Sequence, residues 1–418
     1  MPAIELTSTP FTTANGLQVQ RLVIALTTLD KLVNPEDLKR LEWKSRPQPG
    51  LGVILDGRAP NWVFAALAPL CLPFNVPWIA TYEPRLHAAV IVHCNDPGLQ
   101  PGDLVDLGKS IPQPSESREC LLNVKDVAAR NSVHYQRLAI FVPEGVNTAV
   151  LKDLTLPLNL DLTRGVVLWG KAPVWLYTRL TLLARNAPWV GTYNKPLASF
   201  VIVAGQSAPG ASLGDAFHLV TGPACPAILI GGPPNSGKSV LANALAIGLK
   251  RKFGPEIHMQ RAHADGEGDW FVQMYANVDL QARAMELRQA AKAKYTDRFF
   301  LHHAAAVQNA RETSRLVLVD FGGVPNNEDV TLLHRCTHYI LISSRDDALP
   351  EWHNFCTNRG GLQCLAVIHS TLDAKLEILR RTPYLEMIAG PWHRGEDKLP
   401  NEPIEVVIEH ASALGISV

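Results

Sequence analysis

Neither sign of charge is in excess: the chain of 418 residues carries 39 lysines and arginines against 39 aspartates and glutamates. No bulk field draws it onto duplex nucleic acid or a membrane surface, so any anion site must be local. Long apolar runs are missing too, and stretches such as SFVIVAG at 199–205 are far too short to span a bilayer. The start, MPAIELTSTP, has neither the basic nor the apolar region of a secretion signal. A soluble, cytoplasmic protein without a membrane partner is expected. Cys71, Cys94, Cys120, Cys225, Cys336, Cys356 and Cys364 are odd in number and show no CxxC or Cys/His ligand spacing. The expectation is reduced thiols, with no disulfide and no zinc.

What the chain does have is a repeat. VQRLVIAL from Val19 is answered by YQRLAIFV from Tyr135, and VPWIATYEPRLHAAVIV by APWVGTYNKPLASFVIV. GDLVD at Gly102 is matched by GDAF at Gly214, at a lag of about 113 residues that wanders slightly through loops. Each copy reads as a strand, a helix (PEDLKRLEW; NTAVLKDLTL), a strand ending in G[RK]AP, a second helix (NWVFAALAPLC; VWLYTRLTLLA) and two further strands. Strands alternating with helices predict an α/β layered fold. We expect two small Rossmann-like domains at 15–108 and 134–221, a polar connector at 109–133 containing KSIPQPSESREC, and a third domain at 222–418.

The duplicated turn has a chemical use. In open α/β sheets, ligands sit beyond the carboxyl ends of the strands, where the next helix offers unpaired N–H groups to an anion. Gly57 and Gly170 permit a tight backbone, and Pro60 and Pro173 suit a helix start. Arg58 and Lys171 then add a cation beside those donors, and Trp62 and Trp175 are expected to offer a flat apolar face.

The third domain opens with PAILIGGPPNSGKSVLANALAIGLK, an apolar strand, a Gly-rich loop and a helix. GPPNSGKS satisfies the GxxxxGK[ST] pattern, predicting a P-loop and a three-layer α/β/α NTPase fold. Backbone N–H groups of Gly232, Pro233, Pro234, Asn235, Ser236 and Gly237 (the prolines excepted) would cradle phosphates, Lys238 would reach the terminal ones, and the Ser239 hydroxyl would hold Mg²⁺. RLVLVDFGG places Asp320 at an acidic strand end, where a Walker-B carboxylate holds the metal, with Gly322 and Gly323 letting the next loop approach a γ-phosphate. HADGEGDW adds Asp265 as a candidate to position water or a second substrate, while Glu267 and Asp269 read as a solvated turn. ATP and Mg²⁺ are the expected cofactors.

These residues together resemble a family. The pattern of strand, G[RK]AP[NV]W, PW[IV][AG]TY[EN], apolar strand and GD is similar to the third Csx family of CRISPR-associated ring nucleases. The resemblance implies small Rossmann-like domains that bind and cleave cyclic tetra-adenylate, the second messenger of type III CRISPR defence. It also implies a fused P-loop domain, since DFGG at Asp320 to Gly323 matches the DxGG element of such fusions. The family's Asp-Pro-Arg triplet corresponds to Glu83, Pro84 and Arg85 in the first copy and to Asn194, Lys195 and Pro196 in the second. One family His is absent from both copies, where Phe74 and Asn75, and Arg185 and Asn186, stand; another is replaced by Asn95 and Gln206, with His93 close by. The resemblance thus names Glu83, Arg85, His93 and Arg58 as catalytic candidates. It names Arg58, Trp62, Tyr82, Lys171, Trp175, Tyr193 and Asn194 as the ring-binding set, with Mn²⁺ conceivable at the nuclease site.

A ring with internal symmetry is met by one patch presented twice, which family members achieve by associating identical subunits and this chain by fusing two copies. Assembly into a homo-oligomer is a further expectation. Three functions stay open: a ring nuclease with a regulatory ATPase, a non-cleaving messenger-sensing ATPase, and a nucleotide or nucleoside kinase using the P-loop, Asp265 and Arg335, Arg345 and Arg359.

Overall fold

A computed structural model describes residues 2–13, 16–107, 120–128, 134–142, 146–205, 211–219, 223–254, 256–265, 271, 274–275, 278–322, 330–392 and 401–414. Glu267, Asp269 and Gly323 fall outside them. The chain divides into two compact units, Met1–Asn194 with Ser199–Leu219, and Lys195–Ala198 with Val220–Val418. Both are α/β.

In the first unit each repeat builds its own sheet. The first contains β1 (Ile4–Thr12), β2 (Gln18–Leu26), β3 (Glu42–Trp43), β4 (Gly52–Gly57), β5 (Trp78–Glu83), β6 (Ala88–Cys94) and β7 (Leu104–Asp106), in the order β3-β1-β2-β4-β5-β6-β7. The second contains β8 (Leu121–Ala128), β9 (His134–Phe141), β10 (Gly165–Trp169), β11 (Trp189–Asn194), β12 (Ser199–Gly205) and β13 (Ala216–His218), in the order β13-β12-β11-β10-β9-β8. Three strands run parallel at each centre, β2-β4-β5 and β9-β10-β11, and antiparallel strands flank them. Two elements differ from expectation. β1 precedes the repeat as read from the sequence, and β8 lies inside the stretch read as a connector, where polar LLNVKDVA pairs along the whole of β9. PEDLKR and TAVL form short 3-10 turns, Pro35–Arg40 and Thr148–Leu151, not α-helices. In the first of these, a capping box at Asn34 with Asp37 satisfies the turn's own donors.

The helix after each G[RK]AP turn, α1 (Asn61–Cys71) and α2 (Val174–Ala184), is apolar on nearly all sides. A helix of that composition must be covered all round. It is: α1 packs on α2, and each lies against strands of the other repeat, α1 on β12 and α2 on β6. The GD motif marks the same reciprocal contact. Cβ atoms at Gly102 and Gly214 would come within 2.5 and 2.6 Å of the Thr148 and Pro35 carbonyl oxygens, each in the other repeat's 3-10 turn. Next to them Asp103 pairs with Lys152 at 2.9 Å and Asp215 with Lys39 at 2.5 Å. The two copies therefore meet as a two-fold dimer does, patch to equivalent patch.

The second unit is a sheet of β14 (Ala227–Gly231), β15 (Ile257–Ala262), β16 (Leu316–Phe321), β17 (His338–Ser343), β18 (Gln363–Ser370), β19 (Lys375–Arg380) and β20 (Leu385–Gly390), ordered β15-β16-β14-β17-β18-β20-β19. All are parallel except the edge strand β19. Its strands are near-continuous apolar runs because both faces are covered. α3 (Lys238–Phe253) and the helix Asn401–Ala413 pack on one face around Leu241, Leu245 and Ile408, and Val307, Trp352 and Phe355 pack on the other. This is the three-layer architecture read from the P-loop. Among the described residues no helix is long and apolar enough to cross a membrane.

Candidate functional site

The P-loop stands where β14 ends and α3 begins. The apolar strand AILIG is buried throughout, and Asn235 and Gly237 turn the chain with φ of 62° and 93° before the helix starts at Lys238. Lys238 is only 8% exposed, and its Nζ donates to the Pro233 carbonyl at 2.7 Å, folding the ammonium back across the loop. β16 is the direct neighbour of β14, with Asp320 opposite Ile230. That register delivers the carboxylate to the loop's edge.

Asp320 is fully buried, and the groups that face its carboxylate are few. The Ser239 hydroxyl lies beside it, and His263 Nε2 is 2.9 Å from its Oδ1. Hydroxyl and carboxylate oxygens are the donors Mg²⁺ takes, so these residues fit the ion that a P-loop nucleotide carries. Burial opposes charge on His263, but Asp320 and then Asp265 outweigh it and raise its pKa. Burial likewise pushes Asp320 up, and His263 and Arg261 pull it below its usual value.

His263 escaped the sequence reading, which carried no motif for it. It follows the last residue of β15 directly, and Ala262 pairs with Phe321, so it arrives beside Gly322. A Cβ at Gly322 would overlap His263 Nδ1. The glycine therefore makes room for an imidazole here, a use the sequence had assigned to phosphate approach. Gly322→Ala is expected to cost about 1–3 kcal/mol of stability through this overlap. Thermal melts check it: the added change His263→Ala should recover most of the loss, and a loss undiminished in the double variant would show that the clash is not with His263. Asp265 is brought to the same place, its Oδ2 3.8 Å from His263 Nδ1. Behind it, burial and then His302 and His263 hold the His303 pKa down to about 3, and its Nδ1 meets Gln260 Nε2 at 3.0 Å.

Two of the kinase arginines are not brought here. Arg335 and Arg359 precede β17 and β18, at the edge of the parallel sheet away from the P-loop. Arg345 follows β17 at the correct edge but pairs with Asp347 at 2.6 Å, both exposed.

In the first repeat, Gly57 closes β4 with φ 140°, and a Cβ there would overlap the Ile24 carbonyl oxygen; Gly170, φ 144°, makes the same approach to Ile140. The turn is thus glycine by close contact in both copies, and it leaves Arg58 and Lys171 exposed. Leu55 pairs with Thr81, so Arg58 comes to the same strand edge as Glu83. Glu83 is buried and accepts from Arg85 at three points, Nε and Nη2 at 2.8 Å and the backbone N–H at 3.2 Å. Tyr82, 8% exposed, places its hydroxyl 3.1 Å from His87 Nδ1.

Two expectations need correction. Trp62 and Trp175 are each 2% exposed; enclosed between the two repeats on α1 and α2, they are core and present no face to a ligand. His93 pairs with Ile79, whereas Glu83 pairs with Ala88. Four residues of strand, about 13 Å, separate the two acid-base candidates, so they cannot act on one bond. Burial, then Arg185 and Arg179, also lower the His93 pKa. Among the described residues no group of three His, Cys, Asp or Glu side chains stands together, around Glu83 or elsewhere. In the second repeat Asn194 and Tyr193 are half-buried, and Tyr193 stacks on Trp169 with centroids 3.5 Å apart.

Comparison with solved structures finds similarity to the septum site-determining protein MinD of Pyrococcus horikoshii complexed with Mg-ADP. It is 13% identical with a TM-score of 0.26, covering 44% of this chain and 77% of that one. The cell division ATPase MinD of Pyrococcus furiosus is 12% identical with a TM-score of 0.24, covering 44% and 79%. Thymidylate kinase from Ehrlichia chaffeensis is 11% identical with a TM-score of 0.22, covering 46% and 100%. The sequence profile of the CRISPR-associated protein family Cas_csx3 matches residues 26–106 and again 141–218. Each N-terminal repeat, taken by itself, is thus similar to one and the same CRISPR-associated family.

Proposed function

We propose that the N-terminal repeats bind cyclic tetra-adenylate, that the first repeat cleaves it, and that ATP binding and hydrolysis at the P-loop are coupled to this. One observation carries the reading: two copies of a Cas_csx3-like domain pack reciprocally, and each repeats a strand-end turn with an exposed cation, Arg58 and Lys171. A cyclic tetranucleotide has the matching symmetry and alternate phosphates for the two cations.

The copies differ at the strand end that follows. Glu83 with Arg85 in the first can accept a proton and hold a phosphate by charge, whereas in the second Asn194 is no base and Pro196 offers no cation. In the proposed reaction a ribose 2′-hydroxyl attacks its own 3′-phosphate in line. Its proton passes to the Glu83 carboxylate, Arg58 and Arg85 stabilise the charge on the phosphorane, and the P–O5′ bond breaks as the 5′-oxygen takes a proton from water, Glu83 later returning its own to solvent. The products are a linear adenylate with a 2′,3′-cyclic phosphate at one end and a 5′-hydroxyl at the other. At the P-loop, Lys238 and the loop amides would hold the ATP phosphates, while Ser239 and Asp320 would hold Mg²⁺, which neutralises phosphate charge when bound.

Incubation of the full chain with labelled cyclic tetra-adenylate, with and without ATP and Mg²⁺, tests the reading. Linear product is expected from wild type and from Asn194→Ala, and at least about 100-fold less from Glu83→Ala, the general-base contribution. If wild type binds the ring but yields no linear product under any condition, the repeats are a sensor and not a nuclease.

A further inference from the structure

The two repeats differ at one more pair of equivalent positions, and there the chemistry changes kind. Arg21 of the first corresponds to Arg137 of the second, Tyr82 to Tyr193, and Asp56 to Trp169. In the first repeat Arg21 forms an ion pair with Asp56, which is 4% exposed, and lies 6.0 Å over the Tyr82 ring. In the second the acid is gone. Trp169 stacks on Tyr193 with 8° between the planes, and the Arg137 guanidinium lies 5.3 Å over the indole. Among the described residues no carboxylate pairs with Arg137, and its Nε is buried without a hydrogen-bond partner.

A guanidinium that has lost its carboxylate retains part of its stabilisation from the indole face beneath it, but no carboxylate among the described residues neutralises its charge, and its buried Nε donor is left without a partner. The ring stack stands at the ends of β10 and β11, beside the Gly170–Lys171 turn, Arg137 reaches it from the neighbouring β9, and both rings are half-buried rather than enclosed. Sheet packing alone does not call for an unneutralised cation at that point. A flat π-surface with an unspent cation is what a nucleotide unit needs, the base stacking on the rings and the phosphate meeting the guanidinium.

We infer that Arg137, Trp169 and Tyr193 form a purine-nucleotide subsite in the second repeat, which holds one adenylate unit of the oligonucleotide by base stacking while the first repeat works through charge. This rests on the reading of the repeats as an oligoadenylate receptor. It gives the second repeat a specificity role in place of its lost acid.

The test uses the full chain and cyclic tetra-adenylate, with binding followed by calorimetry. Trp169→Ala should weaken binding about 10- to 100-fold, the range for losing one stacked base, and Arg137→Ala about 10-fold or more. Trp169→Phe, which keeps a ring, should stay within about threefold of wild type, and this conservative change guards against a folding defect in the Ala variant. In parallel, the emission of Trp169, read as the difference between wild type and Trp169→Phe, is titrated with linear tri-adenylate and should be quenched. Undiminished ring binding by Trp169→Ala would overturn the subsite and leave the receptor reading standing. Quenching by the linear probe without ring binding would sustain the subsite and overturn the ring. Neither quenching nor ring binding would remove both.

Discussion

Lys238→Ala is expected to reduce ATP affinity at least about 100-fold, which places binding outside ordinary working concentrations. The ammonium sits 8% exposed within the loop, held by the Pro233 carbonyl at 2.7 Å. A triphosphate meeting this loop exchanges that neutral acceptor for a charged one, and charge-assisted hydrogen bonds are about twice as strong as neutral ones. The variant loses that gain and leaves the phosphate charge facing only loop amides. Calorimetry with ATP and Mg²⁺ measures it, and the melting temperature without nucleotide serves as the control for folding. Unchanged affinity would mean that the GPPNSGKS turn does not hold phosphate.

The second large effect is expected from Arg58→Ala combined with Lys171→Ala, which should nearly abolish binding of cyclic tetra-adenylate. Each single change should cost about 1–3 kcal/mol, the range for a lost hydrogen bond between charged groups. The two turns lie on separate sheets, so the losses should add. Additivity is itself informative, because two cations gripping one ligand from two sides fall together only if the ligand spans them. Equal ring affinity in wild type and the double variant would sink the shared-ring arrangement, whatever the P-loop does.

The P-loop region was legible because its signal is local. GPPNSGKS between an apolar strand and a helix specifies the loop, and an acid ending the apolar run RLVLVD specifies the adjacent strand; Asp320 opposite Ile230 follows from both. His263 was not legible, because it enters through strand register and the open space at Gly322, which no linear pattern records. In the repeats, self-similarity exposed the strands and the duplicated turn. It did not reveal β1 and β8, which lie upstream of the similar segments and do not resemble each other (IELTSTPFT and LLNVKDVA). Trp62 and Trp175 misled because their conserved spacing beside a basic turn fits a ligand face and a packing core equally well. Only knowing that the helices α1 and α2 are enclosed between the repeats decides for the core. His93 misled for a simpler reason: nearness in sequence to Glu83 becomes distance when an antiparallel turn lies between them.

The hairpins β1-β2 and β8-β9 bear on how a chain carrying two near-copies of one domain folds without crossing them. β4 and β10, or β5 and β11, are similar enough in sequence to exchange places during folding, and such exchange is the characteristic failure of repeat proteins. The parallel pairings at risk, β2 with β4 and β9 with β10, close long stretches of chain and form slowly. The hairpins close over a few residues and form within microseconds, from partner strands that do not resemble each other. Each central strand, β2 or β9, is thereby tethered to its own upstream partner before either β4 or β10 competes for it. One edge of β2 and of β9 is thus filled by a strand of its own copy, which leaves each a single edge at which β4 and β10 can exchange.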